Sequence, residues 1–236
     1  MVCYKMDIQR GGVWIMTGDI SKSTLQRLPV YLAYLRTIPP DGPEHISATA
    51  LAAALGMGEV QVRKDLASVS DAGKPRVGYR VSDLVETLEQ ATGCGNLHSA
   101  VLVGAGNLGR ALLSYGGFEQ YGLRILAAFD REPLPGTASG LKQPVLPVSQ
   151  LPHFCREHQV RIGILTVPAE AAQDCCDTLV NSGVQAVWNF APVRLTAPPE
   201  VLIQNENMAA SLALLSHHLS KRLTGPPDRE TGGLEK

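Results

Sequence analysis

The sequence predicts an α/β protein in two parts: a winged helix-turn-helix over residues 18–92, then a parallel, doubly wound sheet domain over residues 96–204. Three observations carry this. First, the apolar run Ala100–Val103 stops at Gly104, and Gly104, Gly106 and Gly109 keep the spacing G-x-G-x-x-G ahead of a helical pattern through Leu112 and Leu113. That is a strand, turn and helix in which glycines let the backbone approach a pyrophosphate on the helix N-terminus. Second, strand-like and helix-like patterns alternate from residue 100 to residue 204, as parallel sheets require. Third, two short helical patterns meet near Gly56 and precede a basic stretch.

Composition narrows the function classes. A net charge of −1 leaves no overall field for nucleic acid or membrane, so any DNA affinity comes from a local patch. The five cysteines show no metal-ligand spacing, and an odd count without a framework fits a reducing, cytoplasmic setting. No apolar run is long enough to span a bilayer, and no metal site is expected. Residues 1–17 lack a continuous apolar core and read as a disordered extension, with Met16 an alternative start.

Taken in order, Ser21–Arg36 reads as a helix with the stripe Leu25, Leu28, Leu32 and Leu35. A start near Ser23 or Thr24 would keep Pro29 within the first turns. After the loop Pro39–Pro43, Ser47 is the expected N-cap of a helix ending at Gly56, with Ile46 and Leu51 as its staple. The next helix, Glu59–Val69, buries Val62, Leu66 and Val69. Lys64, Val60 and Ser68 then face outward, with Arg63 on the flank. From Val60 to Arg80 five basic residues face two acidic ones, a concentration suited to a DNA reader. Gly73–Val81 reads as a β-hairpin wing with Val77, Tyr79 and Val81 alternating. From it Lys74 and Arg76 would reach phosphates, or Arg76 a minor groove. Ser82 is the expected cap of a helix Leu84–Ala91, and Thr92–Gly95 the linker.

The second part reads as strand Ala100–Val103, helix Leu108–Tyr115, strand Arg124–Phe129, a short strand Pro144–Val148 and helix Leu151–His158. Strand Ile162–Val167, helix Ala169–Asn181 and strands Ala186–Phe190 and Val201–Gln204 complete it. The second strand ends in Asp130, 21 residues after Gly109, where a carboxylate would bind the ribose hydroxyls of NAD. Ligands lie at the carboxyl ends of such strands. The loops there, Thr166–Pro168 and Asn189–Pro192, contain no His, Lys, Asp or Glu to serve as the acid or base of a dehydrogenase. The site therefore reads as one that holds the dinucleotide without reacting it, and not as an enzyme. A helix over 205–223 carries Met208, Leu212, Leu215, Leu219 and Leu223 on one stripe, to pack on a partner subunit or back on its own sheet. His217 and His218 do not share a helical face, and 224–236 read as a disordered tail.

With these residues on view, the chain resembles the Rex family of bacterial redox-sensing transcriptional repressors. The likeness runs over about residues 21–223. It rests on Arg27-Leu-Pro-x-Tyr31, Gln61-Val-Arg-Lys-Asp65, Val77-Gly-Tyr79, Gly104-x-Gly-Asn-Leu-Gly109, Phe129-Asp130, Leu165-Thr-Val-Pro with Ala172-Gln173, and Asn189-Phe-Ala-Pro192. The resemblance implies a homodimer whose C-terminal helix (205–223) is swapped between subunits. It implies operator DNA, double-stranded and palindromic, as partner. NAD(H) would be an allosteric ligand, with NADH releasing the DNA. Gly104, Ala105, Gly106, Asn107, Leu108 and Gly109 would hold the pyrophosphate and Asp130 the adenosine ribose. Tyr115, Thr166, Val167 and Pro168 would lie near the nicotinamide, and Met208 would stand where the family has a partner-chain aromatic. The expected DNA-contacting set is Ser47, Gln61, Arg63, Lys64, Lys74 and Arg76. Two features, an ion pair and the wing, depart from the family pattern. Ala33 and Asn207 replace a basic and an acidic residue that pair in one state of the switch, and the wing's Gly-x-Arg-Gly reads Gly73-Lys-Pro-Arg76.

A redox-sensing repressor is the leading expectation. The alternatives are a small NAD-dependent oxidoreductase with a helical accessory domain, disfavoured by the missing acid and base, and a CoA- or nucleotide-binding module. Asp130 opposes the latter, because a carboxylate repels a phosphorylated ribose, and the same repulsion favours NAD over NADP.

Overall fold

The structure is a computed structural model that describes residues 20–132 and 141–224. The expected extension and tail, apart from residue 224, lie outside the described residues. The chain divides into two compact units, Met1–Leu97 with Gly116–Arg124, and His98–Tyr115 with Ile125–Lys236.

In the first unit, α1 (Lys22–Leu35) is capped by Ser21, whose Oγ accepts the Thr24 N–H at 3.1 Å. The helix starts before the expected Ser23 or Thr24, so Pro29 sits in its interior and deprives one carbonyl of its helical donor. The cost is offset by Leu28, Tyr31, Leu32 and Leu35, all buried on the same face. Strand β1 (His45–Ile46) leads into α2 (Ala48–Leu55). Ser47 caps this helix by accepting the Ala50 N–H at 3.0 Å, and Gly56 closes it in the left-handed region at φ 62°. The helix α3 (Glu59–Ala67) follows, with Val62 and Leu66 buried and Val60 and Lys64 exposed as the 3.6-residue period requires.

Two expectations for this unit need correction. The wing is not an independent hairpin. Strand β2 (Tyr79–Arg80) pairs antiparallel with β1, and the wing proper is a tight turn closed by Lys74 and Gly78. A glycine is required at 78, since φ is 89° and a side chain would meet the Ile46 carbonyl at the end of β1. Nor does Ser82 cap the next helix. Helix α4 (Val81–Thr92) begins earlier with Arg80 at its N-cap, and Ser82 donates to Asp83 at 2.8 Å. The core joins α1, α2, α3 and α4 through Leu28, Leu32, Leu51, Leu66, Leu84 and Leu88. Gly116–Arg124 packs here too: Arg36 donates to the Gln120 carbonyl at 2.6 Å and to Glu89 at 2.8 Å.

The second unit is a six-stranded sheet in the order β5-β4-β3-β6-β7-β8. The strands are β3 (His98–Val103), β4 (Leu123–Asp130), β5 (Val145–Pro147), β6 (Ile162–Leu165), β7 (Ala186–Asn189) and β8 (Leu202–Asn205). Numbered from its own first strand this is 3-2-1-4-5-6, the dinucleotide-binding order, whose direction reverses between β3 and β6. The pairs β3–β6, β4–β5, β6–β7 and β7–β8 are parallel. Val101, Val103, Phe129 and Leu165 are buried with Leu151 of α6 (Leu151–Glu157) and Leu179 of α7 (Ala169–Asn181). Continuous apolar strands are what a sheet covered on both faces needs.

The last helix, α8 (Met208–Thr224), starts with the Asn207 Oδ1 accepting the Ala210 N–H at 2.9 Å. Met208, Leu212, Leu215 and Leu219 are 63%, 63%, 65% and 55% exposed, so the helix does not fold back onto its own sheet.

Candidate functional site

At the crossover between β3 and β6 the three glycines divide three tasks. Gly104 takes φ 101°, and a side chain there would meet the Thr166 carbonyl at 2.8 Å, so this glycine makes the turn. Gly109 is buried, and a Cβ would strike the Gly104 carbonyl, so this one lets α5 (Asn107–Ser114) pack close to the strand. Gly106 has nothing within 4 Å of its Cβ position and is exposed, so this one leaves the backbone open. Gly106 is also the N-cap of α5 and supplies no side-chain cap. The first N–H groups of the helix, from Asn107, Leu108 and Gly109, therefore lack helical acceptors and face an open backbone, which suits a pyrophosphate.

Neighbouring strands hold the turn in place. The Gly104 N–H donates to the Phe129 carbonyl at 2.8 Å on one side. On the other, Thr166 Oγ1 donates to the Gly104 carbonyl at 2.7 Å, and the Thr166 N–H to the Val103 carbonyl at 2.9 Å. Asp130 ends β4 beside the turn, where its Oδ2 accepts the Ala105 N–H at 2.7 Å and its Oδ1 the Glu132 N–H at 3.1 Å. An ionised carboxylate offers about four acceptor directions, so two remain for ribose hydroxyls. The residues present thus fit a dinucleotide. Val167 and Pro168 continue from Thr166 into α7, Tyr115 is exposed at the end of α5, and Met208 is exposed at the start of α8.

Asn189 is a hub that the sequence reading marked only as part of a loop. Its buried Nδ2 donates to the Val193 carbonyl and to Asn205 Oδ1, both at 2.8 Å, and its Oδ1 accepts the Ala191 N–H at 3.0 Å. One amide shapes the loop after β7 and ties it to the end of β8, just before α8. Burial pushes the Cys155 thiol up to about 11, and burial with neighbouring carboxylates raises Cys175 and Cys176. These thiols stay protonated and are poor redox centres. Among the described residues no cluster of His, Cys, Asp or Glu suits a metal ion.

The first unit holds a second constellation, and its organising residue was missed at the sequence level. Asp65, on α3, is only 1% exposed. Its carboxylate accepts Thr24 Oγ1 at 3.1 Å, Arg27 Nε at 2.6 Å and Nη2 at 2.8 Å, Tyr31 OH at 2.7 Å and Gln61 Nε2 at 2.9 Å. Burial alone would raise its pKa. The hydrogen bonds from Arg27, Tyr31, Gln61 and Thr24 outweigh that and hold it at about 2. Tyr31 is pushed up to about 12 by burial and by Asp65. The signal was present in the sequence, since an aspartate stood one step from the buried Leu66 on the buried side of a helix.

This clamp fixes the roll of α3 against α1 and so decides what α3 shows outward. Lys64, Arg63 and Val60 are exposed, and Arg63 pairs with Glu59 one turn back. Gln61 spends one amide hydrogen on Asp65, which keeps its Oε1 and second N–H for another partner. Ser47 is exposed at the α2 N-cap, beside the backbone of Gly78 in the wing, where Lys74 and Arg76 are exposed. Arg76 takes φ 64°, a backbone conformation seldom adopted by non-glycine residues.

Residues 19–67 match the family model "Putative DNA-binding protein N-terminus", and residues 96–193 match "CoA binding domain". The chain is 40% identical over 208 residues to the "Redox-sensing transcriptional repressor Rex" of Porphyromonas gingivalis, covering 87% of this chain and 94% of that protein. The same-named protein of Bacteroides fragilis is 39% identical over 85% of this chain and 91% of its own. The chain belongs to the Rex family. A crystal structure of a protein called RSP with β-NAD+ and operator DNA matches with TM-score 0.78 and 31% identity, covering 88% of this chain and 95% of that one. RSP with β-NADH matches with TM-score 0.73 at 31% identity, over 88% and 97%. These Rex relatives are named as transcriptional repressors. The Rex likeness spans 87% of the chain, whereas the CoA-binding model spans residues 96–193, and the wider match decides the family.

Proposed function

We propose that this protein is a redox-sensing transcriptional repressor that binds operator DNA and lets it go when NADH rises relative to NAD+. The observation that carries this is the glycine turn, open at Gly106 and flanked by Asp130, whose carboxylate accepts the Ala105 N–H at 2.7 Å. Gly104 to Gly109 hold the pyrophosphate, Asp130 the ribose, and Tyr115, Thr166, Val167 and Pro168 the nicotinamide end. The dinucleotide's leverage is its different affinity for the DNA-bound and DNA-free states.

Residues 18–92 are the DNA-binding domain, reading through Gln61, Arg63 and Lys64 with Ser47, Lys74 and Arg76 on the backbone or minor groove. Residues 96–204 are the NAD(H) domain. Residues 205–223 form a dimerisation helix, and the exposed leucines of α8 support a homodimer with that helix exchanged. Because Ala33 and Asn207 carry no charge, the family's ion pair does not serve as the switch here, and Asn207 instead caps α8. The protein works in the cytoplasm, and among the described residues no helix is long and apolar enough to cross a membrane. Calorimetry with NADH, NAD+, NADPH and CoA tests the ligand assignment: NADH binds most tightly and CoA does not bind. Turnover of NADH with an aldehyde or keto acid would restore the oxidoreductase reading.

A further inference from the structure

Val60 is 65% exposed, more than any other large hydrophobic residue among those described outside α8. Nothing in the fold explains a valine there. A β-branched residue gains nothing over alanine in an exposed helical turn and forms helix less well. Its position is specific, however. On α3 the buried residues Val62, Asp65 and Leu66 define the inward direction, and at 100° per residue Val60 and Lys64 lie opposite it. Val60 belongs to the first turn of the helix, the part that meets base edges when such a helix enters a major groove. Lys64 lies one turn on, and Arg63, paired with Glu59, lies on the flank. The Asp65 clamp prevents α3 from rolling to hide Val60.

Resting on the DNA-binding reading above, we propose that Val60 is a sequence-reading residue whose isopropyl group packs on the 5-methyl group of a thymine. That methyl is the apolar group a base edge presents in the major groove. Val60 thus adds a specificity element beside the polar readers Gln61, Arg63 and Lys64, and it sets which base the first turn of α3 accepts.

The full chain, without NADH, is used to select an operator from a random duplex library. Each thymine of that operator is then replaced in turn by deoxyuridine, which differs only by the methyl, and affinity is read by fluorescence anisotropy. One thymine per half-site costs about fourfold on replacement, the value of one buried methyl. Val60→Ala binds the thymine operator more weakly and no longer distinguishes thymine from uracil at that position. The variant's circular-dichroism spectrum and melting temperature stay at the wild-type values, which shows that it is folded. If every thymine can be replaced without loss, or if Val60→Ala keeps the full discrimination, the proposal is overturned while the DNA-binding reading stands. If the library yields no preferred sequence, both fall.

Discussion

Replacing Asp65 by asparagine keeps the size of the side chain and removes its charge. The change leaves the Arg27 guanidinium without its counter-ion and puts an N–H2 where an oxygen now accepts at least two donors. Removing one partner of a buried ion pair costs ~3–5 kcal/mol. Arg27 is 24% exposed and recovers some hydration, so ~3 kcal/mol, the lower end, is expected. The pKa offers a second route to the magnitude. A fall from 3.8 to about 2 corresponds to roughly 2 kcal/mol of preference for the ionised form in the folded state. The two routes agree within the precision of either.

A loss of this size lowers the melting temperature of a chain this long by ~6–12 °C. Because the carboxyl pKa is depressed by folding, its contribution is complete above pH ~4 and disappears as pH falls through about 2. The gap between wild type and Asp65→Asn should therefore be constant from pH 7 to 4 and close between 4 and 2, measured by urea denaturation with circular dichroism. At temperatures where both proteins are folded, the variant should bind DNA at least tenfold more weakly and NADH equally well, since α3 loses its fixed roll. A variant within ~0.5 kcal/mol of wild type, or a gap that persists unchanged to pH 2, would show that Asp65 does not hold α3 against α1.

The glycine turn supports a contrast between two alanine variants. Gly106→Ala meets no protein atom and should fold with an unchanged melting temperature, yet lose NADH affinity tenfold or more in calorimetry, because its methyl group occupies the approach to the backbone. Gly109→Ala drives a methyl group into the Gly104 carbonyl and should lower stability before any ligand is added, seen as an earlier melt of the apoprotein. On α8, Leu215→Glu places a charge in the exposed apolar stripe and should convert a dimer to monomers in sedimentation velocity.

Much of the architecture was legible in the sequence because it rests on periodicity and glycine. The helix Ala169–Asn181 falls on its expected residues, and the glycine spacing located the turn between β3 and α5. Boundaries failed where distant pairing decides them. The β2 strand forms because β1 is beside it, which pulls Val81 into α4 and leaves Ser82 past the cap position. Pro29 is tolerated in mid-helix because the buried face of α1 outweighs one missing hydrogen bond, a balance that a local rule does not contain. The polar hubs were the least legible part. Asp65 receives donors from Thr24, Arg27 and Tyr31, more than thirty residues away in the chain, and Asn189 receives its partner Asn205 from another strand. A single buried polar residue can be found by period. Its partners appear only when the fold brings them together.

If the protein senses redox state as proposed, a dinucleotide at Gly104–Gly109 acts as a signal that governs DNA binding. Its most direct measurement is a fluorescence-anisotropy titration of the protein–operator complex with NADH and, in parallel, with NAD+. NADH should release the DNA at low micromolar concentration and NAD+ much more weakly, with neither nucleotide consumed. Equal release by the two nucleotides, or none by either, would contradict it.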